Sequence, residues 1–278
     1  MFRFLQFQSS WLVRYILLLC LFKLSFLALA EDNRLVITGS STVAPLALEI
    51  AKRFEQLNDG VRIDVQTGGS SRGVADTRSG AADIGMASRE LKNSEKDLIA
   101  HTIARDGIGI ILNNKNSVAS LSEAQIKAIF TGKIINWKTL GGDDRAITVV
   151  NKAEGRSTLE LFLAHFRLKN SQIKAHVVIG DNQQGVKTLA GNPYAIAYVS
   201  IGAAEFEATR GTPIKLLPLA AIPASVDNVR NGTFPLARPL NLLTKPAPSG
   251  LAKRFIDFAQ STEANDLIEA QFFVPLAH

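Results

Sequence analysis

Cysteine occurs once in the 278 residues, at Cys20, and histidine only four times, at His101, His165, His176 and His278. Cys20 lies in an apolar N-terminal stretch. Without that stretch the chain has no thiol, which excludes disulfides, a Cys-ligated metal and a cysteine nucleophile. The scattered histidines offer no metal-ligand spacing, and "GGDDR" (Asp143, Asp144) reads as a polar turn rather than a calcium loop. No metal and no cofactor are expected. Dense Lys/Arg runs with interleaved aromatics are also missing, so nucleic acid is not an expected partner. No internal repeat and no low-complexity tract stands out.

The N-terminus has the order of parts of a secretory signal peptide: Arg3, an apolar run, then Ala28-Leu29-Ala30 before Glu31 and Asp32. Arg14 and Lys23 interrupt the run and argue against a membrane-spanning helix. Residues 1–30 are therefore read as a signal peptide cleaved after Ala30, with export to the periplasm; a retained anchor is the alternative. Leu19 before Cys20 does not suit lipid attachment. Cleavage removes Arg3, Arg14 and Lys23 and no acid, so 28 basic and 25 acidic residues remain and the net charge falls from +6 to +3. The remaining length allows one large or two modest domains.

Short β-like runs alternate with helix-like runs. "RLVITG" precedes "PLALEIAKRFEQL", which places Leu46, Ile50, Phe54 and Leu57 on one helical face. "VRIDVQTGG" leads to the helix-like "GVADTRSG", then "AADIGMAS" and "GIGIILNN" read as strands. "SEAQIKAIFTG" is a helix closed by Gly132. "AITVVN" and "STLELFLAHF" repeat the strand-helix order, followed by the strand "AIAYVSIG" and a late helix, "LAKRFIDFAQS". Seven prolines from Pro213 to Pro248 mark a loop-rich section. The alternation predicts an α/β fold with a largely parallel sheet.

Three strand-to-helix junctions carry clustered hydroxyls: Ser40, Ser41 and Thr42; Ser70 and Ser71 beside Arg72; Ser157 and Thr158 beside Arg156. One hydroxyl suffices to cap a helix. Several, next to free N–H groups at the positive end of a helix, make an oxyanion site. Parallel sheets gather such junctions at the carboxyl ends of their strands.

"ITGSSTVAP", "GGSSRGVADTRSGAADIGMASREL", "EGRSTLELF", "NPYAIAYVSIG" and the segment from "FPLARPLNLLT" to "EAQFFVP" resemble the phosphate-binding periplasmic proteins of ABC transporters, the PstS-like group, over nearly all of the chain after residue 30. The resemblance implies a two-lobed type II periplasmic-binding fold, with mixed, mostly parallel sheets, flanking helices and two hinge crossings. It implies lobe 1 over residues 31–108 plus 216–278, and lobe 2 over 109–215. It implies a monomeric, non-enzymatic receptor that captures an inorganic oxyanion, phosphate foremost, for ABC permease and ATPase subunits. Ser41, Thr42, Val43, Ser70, Ser71, Ser88, Arg156, Ser157 and Thr158 are the implied ligand contacts. In the third loop the family reads Arg-x-x-Gly-Ser-Gly-Thr. Here Lys152 stands for its arginine, Arg156 for its serine and Ser157 for its second glycine.

Other readings remain open at this level. Ser88, where some members have aspartate, suits a fully ionised anion such as molybdate, tungstate or sulfate. Gly69-Ser70-Ser71-Arg72-Gly73 fits the nucleophile-elbow pattern of serine hydrolases, which requires an acid and a histidine downstream. A sensor or surface-adhesion role uses the same fold. Arg156 is either a pocket residue or a surface arginine paired with Glu154 or Glu160.

Overall fold

The computed structural model describes residues 33–277. The expected signal peptide, its cleavage site and Cys20 lie outside the described residues, as does His278. Nine strands, with helices on their faces, form one mixed sheet among the described residues.

The first half begins with β1 (Arg34–Gly39), α1 (Ala44–Leu57) and β2 (Arg62–Thr67), then α2 (Ser70–Ser79) and β3 (Ile84–Ala87). β1 pairs in parallel with β2 and β3. Pro45 sits in the first turn of α1, where a missing N–H breaks no intrahelical bond. Leu46, Ile50 and Phe54 of α1 are buried, whereas Leu57, one turn further, is 62% exposed at the helix end. The late helix α8 (Gly250–Ala259) brings Phe255 edge-on to Phe54 at 5.5 Å. α9 (Asn265–Ala270) adds Ile268 to the same core.

The second half contains α3 (Glu123–Phe130), β5 (Thr148–Lys152), α4 (Ser157–Phe166), β6 (Val177–Ile179), α5 (Asn182–Gly191), β7 (Ala195–Ser200), α6 (Ile201–Thr209), β8 (Ile214–Leu217) and α7 (Val226–Arg230). β5 pairs in parallel with β6 and β7. Its core is built on Phe130, Trp137, Phe162 and Tyr198, with Phe162 stacked on Tyr198 at 3.9 Å.

β4 (Ile99–Asn113) is common to both halves. Residues 99–107 pair with β9 (Ala237–Thr244), and residues 108–113 pair with β7 and β8. Every pairing in this middle region is antiparallel, as is that of β3 with β9. The sheet is therefore parallel at its two ends and antiparallel where the chain crosses. The Pro-rich section is not mainly loop, since it holds β8, α7 and β9. Pro239 is tolerated inside β9 because β3 ends at Ala87 opposite Asn241, leaving no ladder to break on that edge.

β8 lies on the second half of β4, and Leu219, Ala224, Val229, Phe234 and Leu236 pack in the second core. Leu236 still packs in the second core, and Ala237 opens β9 opposite Gly107 of β4. No helix among the described residues is long and apolar enough to cross a membrane.

Candidate functional site

The two crossing strands place Asp106 on β4 directly opposite Arg238 on β9. Their side chains, each 1% exposed, form an ion pair: Arg238 donates from Nη2 at 2.9 Å and from Nε at 3.2 Å to Asp106 Oδ2. The Gly202 N–H donates to Oδ1 at 3.2 Å. Both carboxylate oxygens are thus occupied, and the guanidinium is fixed and buried where the two halves meet.

From there Arg238 reaches both halves. Nη1 donates to Thr158 Oγ1 at 3.0 Å and Ser88 Oγ at 3.3 Å, and Nη2 donates to Thr42 Oγ1 at 3.2 Å. Asn182 Nδ2 donates to the same Thr42 oxygen at 3.1 Å. Ser157 Oγ donates to Ser70 Oγ, linking the N-termini of α4 and α2. Ser40 Oγ accepts the N–H groups of Thr42 (3.2 Å) and Val43 (3.4 Å) and donates to Ser88 Oγ at 3.0 Å. The N-terminal ends of α1, α2, α4 and α5 therefore converge on one buried guanidinium. Helix dipoles there favour negative charge.

Two further cations approach from the second half. Lys152 is buried at the end of β5 and donates to Asn182 Oδ1 at 3.0 Å. Burial lowers its pKa to about 7; Asp181 opposes this, while Arg238 and Arg156 lower it further. Arg156 stands at the N-cap of α4 and makes no side-chain capping bond. Its Nε and Nη1 are buried without a hydrogen-bond partner. Gly69, at φ +95°, makes room for it: a Cβ there would lie 2.6 Å from Arg156 Nη1 and 2.6 Å from the Gly155 carbonyl.

Of the implied contacts, Thr42, Ser70, Ser88, Ser157 and Thr158 share this network, with the Val43 N–H beside it. Ser41 lines a neighbouring groove of about 480 Å³ with Pro45, Leu48 and Phe206. Ser71 donates its N–H to the Gly155 carbonyl (3.2 Å) and its hydroxyl to Glu160 (3.3 Å). Arg156 does not pair with the two glutamates considered for it: Glu154 accepts from Asn170, and Glu160 takes Arg89 and Lys92. Asp106, Arg238 and Asn182 escaped the sequence reading. A signal was present, because "ARDGIGIIL" puts an aspartate at the head of an apolar run, and a buried carboxylate needs a cation.

The described histidines are engaged elsewhere: His101 with Thr244, His165 with Glu123, His176 with the Val149 N–H. Ser70 Oγ contacts the Ser88 N–H and Ser157. Among the described residues no group of three or more His, Cys, Asp or Glu side chains is placed to hold a metal.

A cleft between two α/β lobes, lined by helix N-termini and arginine, defines the periplasmic-binding class, and a model described as a PBP superfamily domain matches residues 28–263. The PstS phosphate-binding protein of Bacillus subtilis is 30% identical over 250 residues, covering 88% of this chain and 81% of that one. The solved structure of a phosphate ABC transporter substrate-binding protein from Clostridium perfringens, with bound phosphate, is 31% identical with a TM-score of 0.81, covering 88% of this chain and all of that one. An ABC-type phosphate transport receptor from Vibrio cholerae gives 29% identity and a TM-score of 0.71, over 87% of this chain and all of that one. The chain belongs to the PBP superfamily and, within it, to the PstS family.

Proposed function

We propose that this protein captures phosphate between its two lobes and delivers it to the permease and ATPase subunits of an ABC transporter. The observation that carries this reading is Arg156: buried guanidinium donors without a partner, beside Arg238, Lys152 and converging helix N-termini. An oxyanion satisfies such donors through charge-assisted bonds. The lobes exchange at residues 107–108 and 236–237, and the anion bridges them. The N-terminal signal pattern supports export to the periplasm, and among the described residues no histidine reaches Ser70 as a hydrolase would require.

The hydroxyls are mostly set to donate. Ser88 already accepts from Arg238 and Ser40, and Thr42 from Arg238 and Asn182, so the protons of both hydroxyls remain for the ligand. Ser157 takes no N–H of this network and can accept the proton of hydrogen phosphate. The donor excess also favours a second reading, a fully ionised oxyanion such as sulfate or molybdate. Calorimetry of stripped protein against phosphate, sulfate, molybdate and tungstate decides between them. Tightest binding of phosphate is expected, and no binding of any of the four overturns the anion reading.

Lys152 adds a pH dependence. Between about 7 and its ordinary 10.5, the unfolded chain holds a proton on this residue that the folded, anion-free chain lacks. This group therefore favours the folded state increasingly as pH rises through that window, and its penalty is full below about 7. A bound anion restores the proton, so binding is accompanied by proton uptake and weakens as pH rises. Lys152→Arg cannot lose its charge, and the anion's own titration cancels in the ratio of the two affinities. That ratio should change by up to about tenfold per pH unit above 7. Phosphate titrations at pH 7, 8 and 9 measure it, and a ratio independent of pH refutes the role.

A further inference from the structure

Glu160 lies in the first turn of α4, in the second lobe, yet its carboxylate is surrounded by groups of the first. Arg89 Nε lies 3.1 Å from Oε2, Lys92 Nζ lies 2.8 Å from the same oxygen, and Ser71 Oγ donates to Oε1 at 3.3 Å. We propose that Glu160 is an electrostatic latch that holds the lobes closed and thereby sets how long the anion stays bound. The inference rests on the reading above for its cargo, but the latch itself needs no ligand.

The first-lobe side of the latch is built in advance. Arg89 is 3% exposed and is fixed by Glu95, which accepts from Nη1 at 2.7 Å and from Nη2 at 2.9 Å. The Lys92 N–H donates to Glu95 at 2.9 Å, so one glutamate orients the segment that carries both cations. Burial is the largest single effect on Glu95 and works against its charge, but the Arg89 hydrogen bond, the Lys92 N–H and the charges of Arg89 and Lys92 together outweigh it and hold the carboxyl below its ordinary range. Arg89 Nε is thereby left pointing at the cleft. The Arg89–Glu160 contact is a close charge pair without hydrogen-bond alignment. It is stabilised by Coulomb attraction at an intermediate dielectric rather than by geometry.

Glu160 does not belong to the anion network. Its partners differ from those of Arg238, Thr42 and Thr158, and removing its charge leaves that network intact. Its effect runs through the equilibrium between open and closed lobes, in which only the closed form brings Ser71, Arg89 and Lys92 to it. Lys92 and Glu160 are 50% and 26% exposed at their side chains, so screening by salt acts on this pair.

The test uses Glu160→Gln and Lys92→Met in the exported protein. Small-angle scattering without anion should show both variants more open than wild type. Stopped-flow release of inorganic phosphate should be roughly five- to thirtyfold faster in Glu160→Gln and severalfold faster in Lys92→Met. In the double variant, release should match Glu160→Gln alone, because Lys92 acts through that carboxylate. Raising salt should speed release in wild type and leave Glu160→Gln unchanged. Glu154→Gln, whose partner Asn170 lies in the same lobe, should behave as wild type. Unchanged scattering and release in both latch variants overturn the proposal. So does an additive double variant. Latch-dependent scattering in a protein that binds no phosphate would leave the latch standing and reject the cargo.

Discussion

Replacing Arg238 by methionine is expected to abolish measurable phosphate binding and to lower stability by about 3–5 kcal/mol. Both effects follow from one position. Among the described residues Arg238 is the one cation bonded to Asp106, whose carboxylate is 1% exposed and keeps the Gly202 N–H once the guanidinium is gone. A buried charge without its partner carries the desolvation penalty uncompensated. Binding fails because Ser88, Thr42 and Thr158 all take a hydrogen bond from this guanidinium. Without it their hydroxyls turn, and the site loses a buried fixed charge. The double variant Arg238→Met with Asp106→Leu separates the two effects. With both charges removed, stability should recover most of the loss, while binding stays absent. Urea unfolding and calorimetry provide the readings. A single variant as stable as wild type would mean that the ion pair does not hold the crossing strands together.

The alternation of strands and helices was legible because most elements carry their own pattern: apolar residues at helical spacing in α1, β-branched runs in β1 and β5, glycines at the turns. The hydroxyl junctions were legible for the same reason, since helix starts are local. What failed was non-local. β9 hid behind Pro239, because only the sheet shows that its edge beyond Asn241 is unpaired. The sequence pattern of β4 starts at Gly107, yet the strand begins at Ile99, and its first half is a strand only because β9 lies beside it. The Asp106–Arg238 pair joins residues 132 positions apart, and neither belongs to a hydroxyl cluster. Local spacing sets Glu160 against its helical neighbour Arg156, as surface pairs form. Its actual partners come from the other lobe.

Arg156→Ala should weaken phosphate binding by about 2–4 kcal/mol, roughly thirty- to a thousandfold. The fold gives this residue a place at the site. At the N-cap of α4 the guanidinium adds its charge to the helix end, with Gly69 leaving space for Nη1. Neither Glu154 nor Glu160 neutralises it, because each already has partners of its own. Stability should change little, or rise slightly, since truncation removes a buried unpaired donor instead of breaking a bond. That combination, a large loss of affinity with no loss of stability, distinguishes a ligand contact from a structural arginine. Arg156→Lys should restore only part of the affinity, because an ammonium lacks the planar fork. Thr158→Ala should cost less, about 1 kcal/mol, as a single neutral hydrogen bond. Calorimetry of the three variants with phosphate, alongside thermal unfolding, makes the comparison. Wild-type affinity in Arg156→Ala would show that the guanidinium serves another group, and that the third loop holds the anion through its backbone, Thr158 and Lys152.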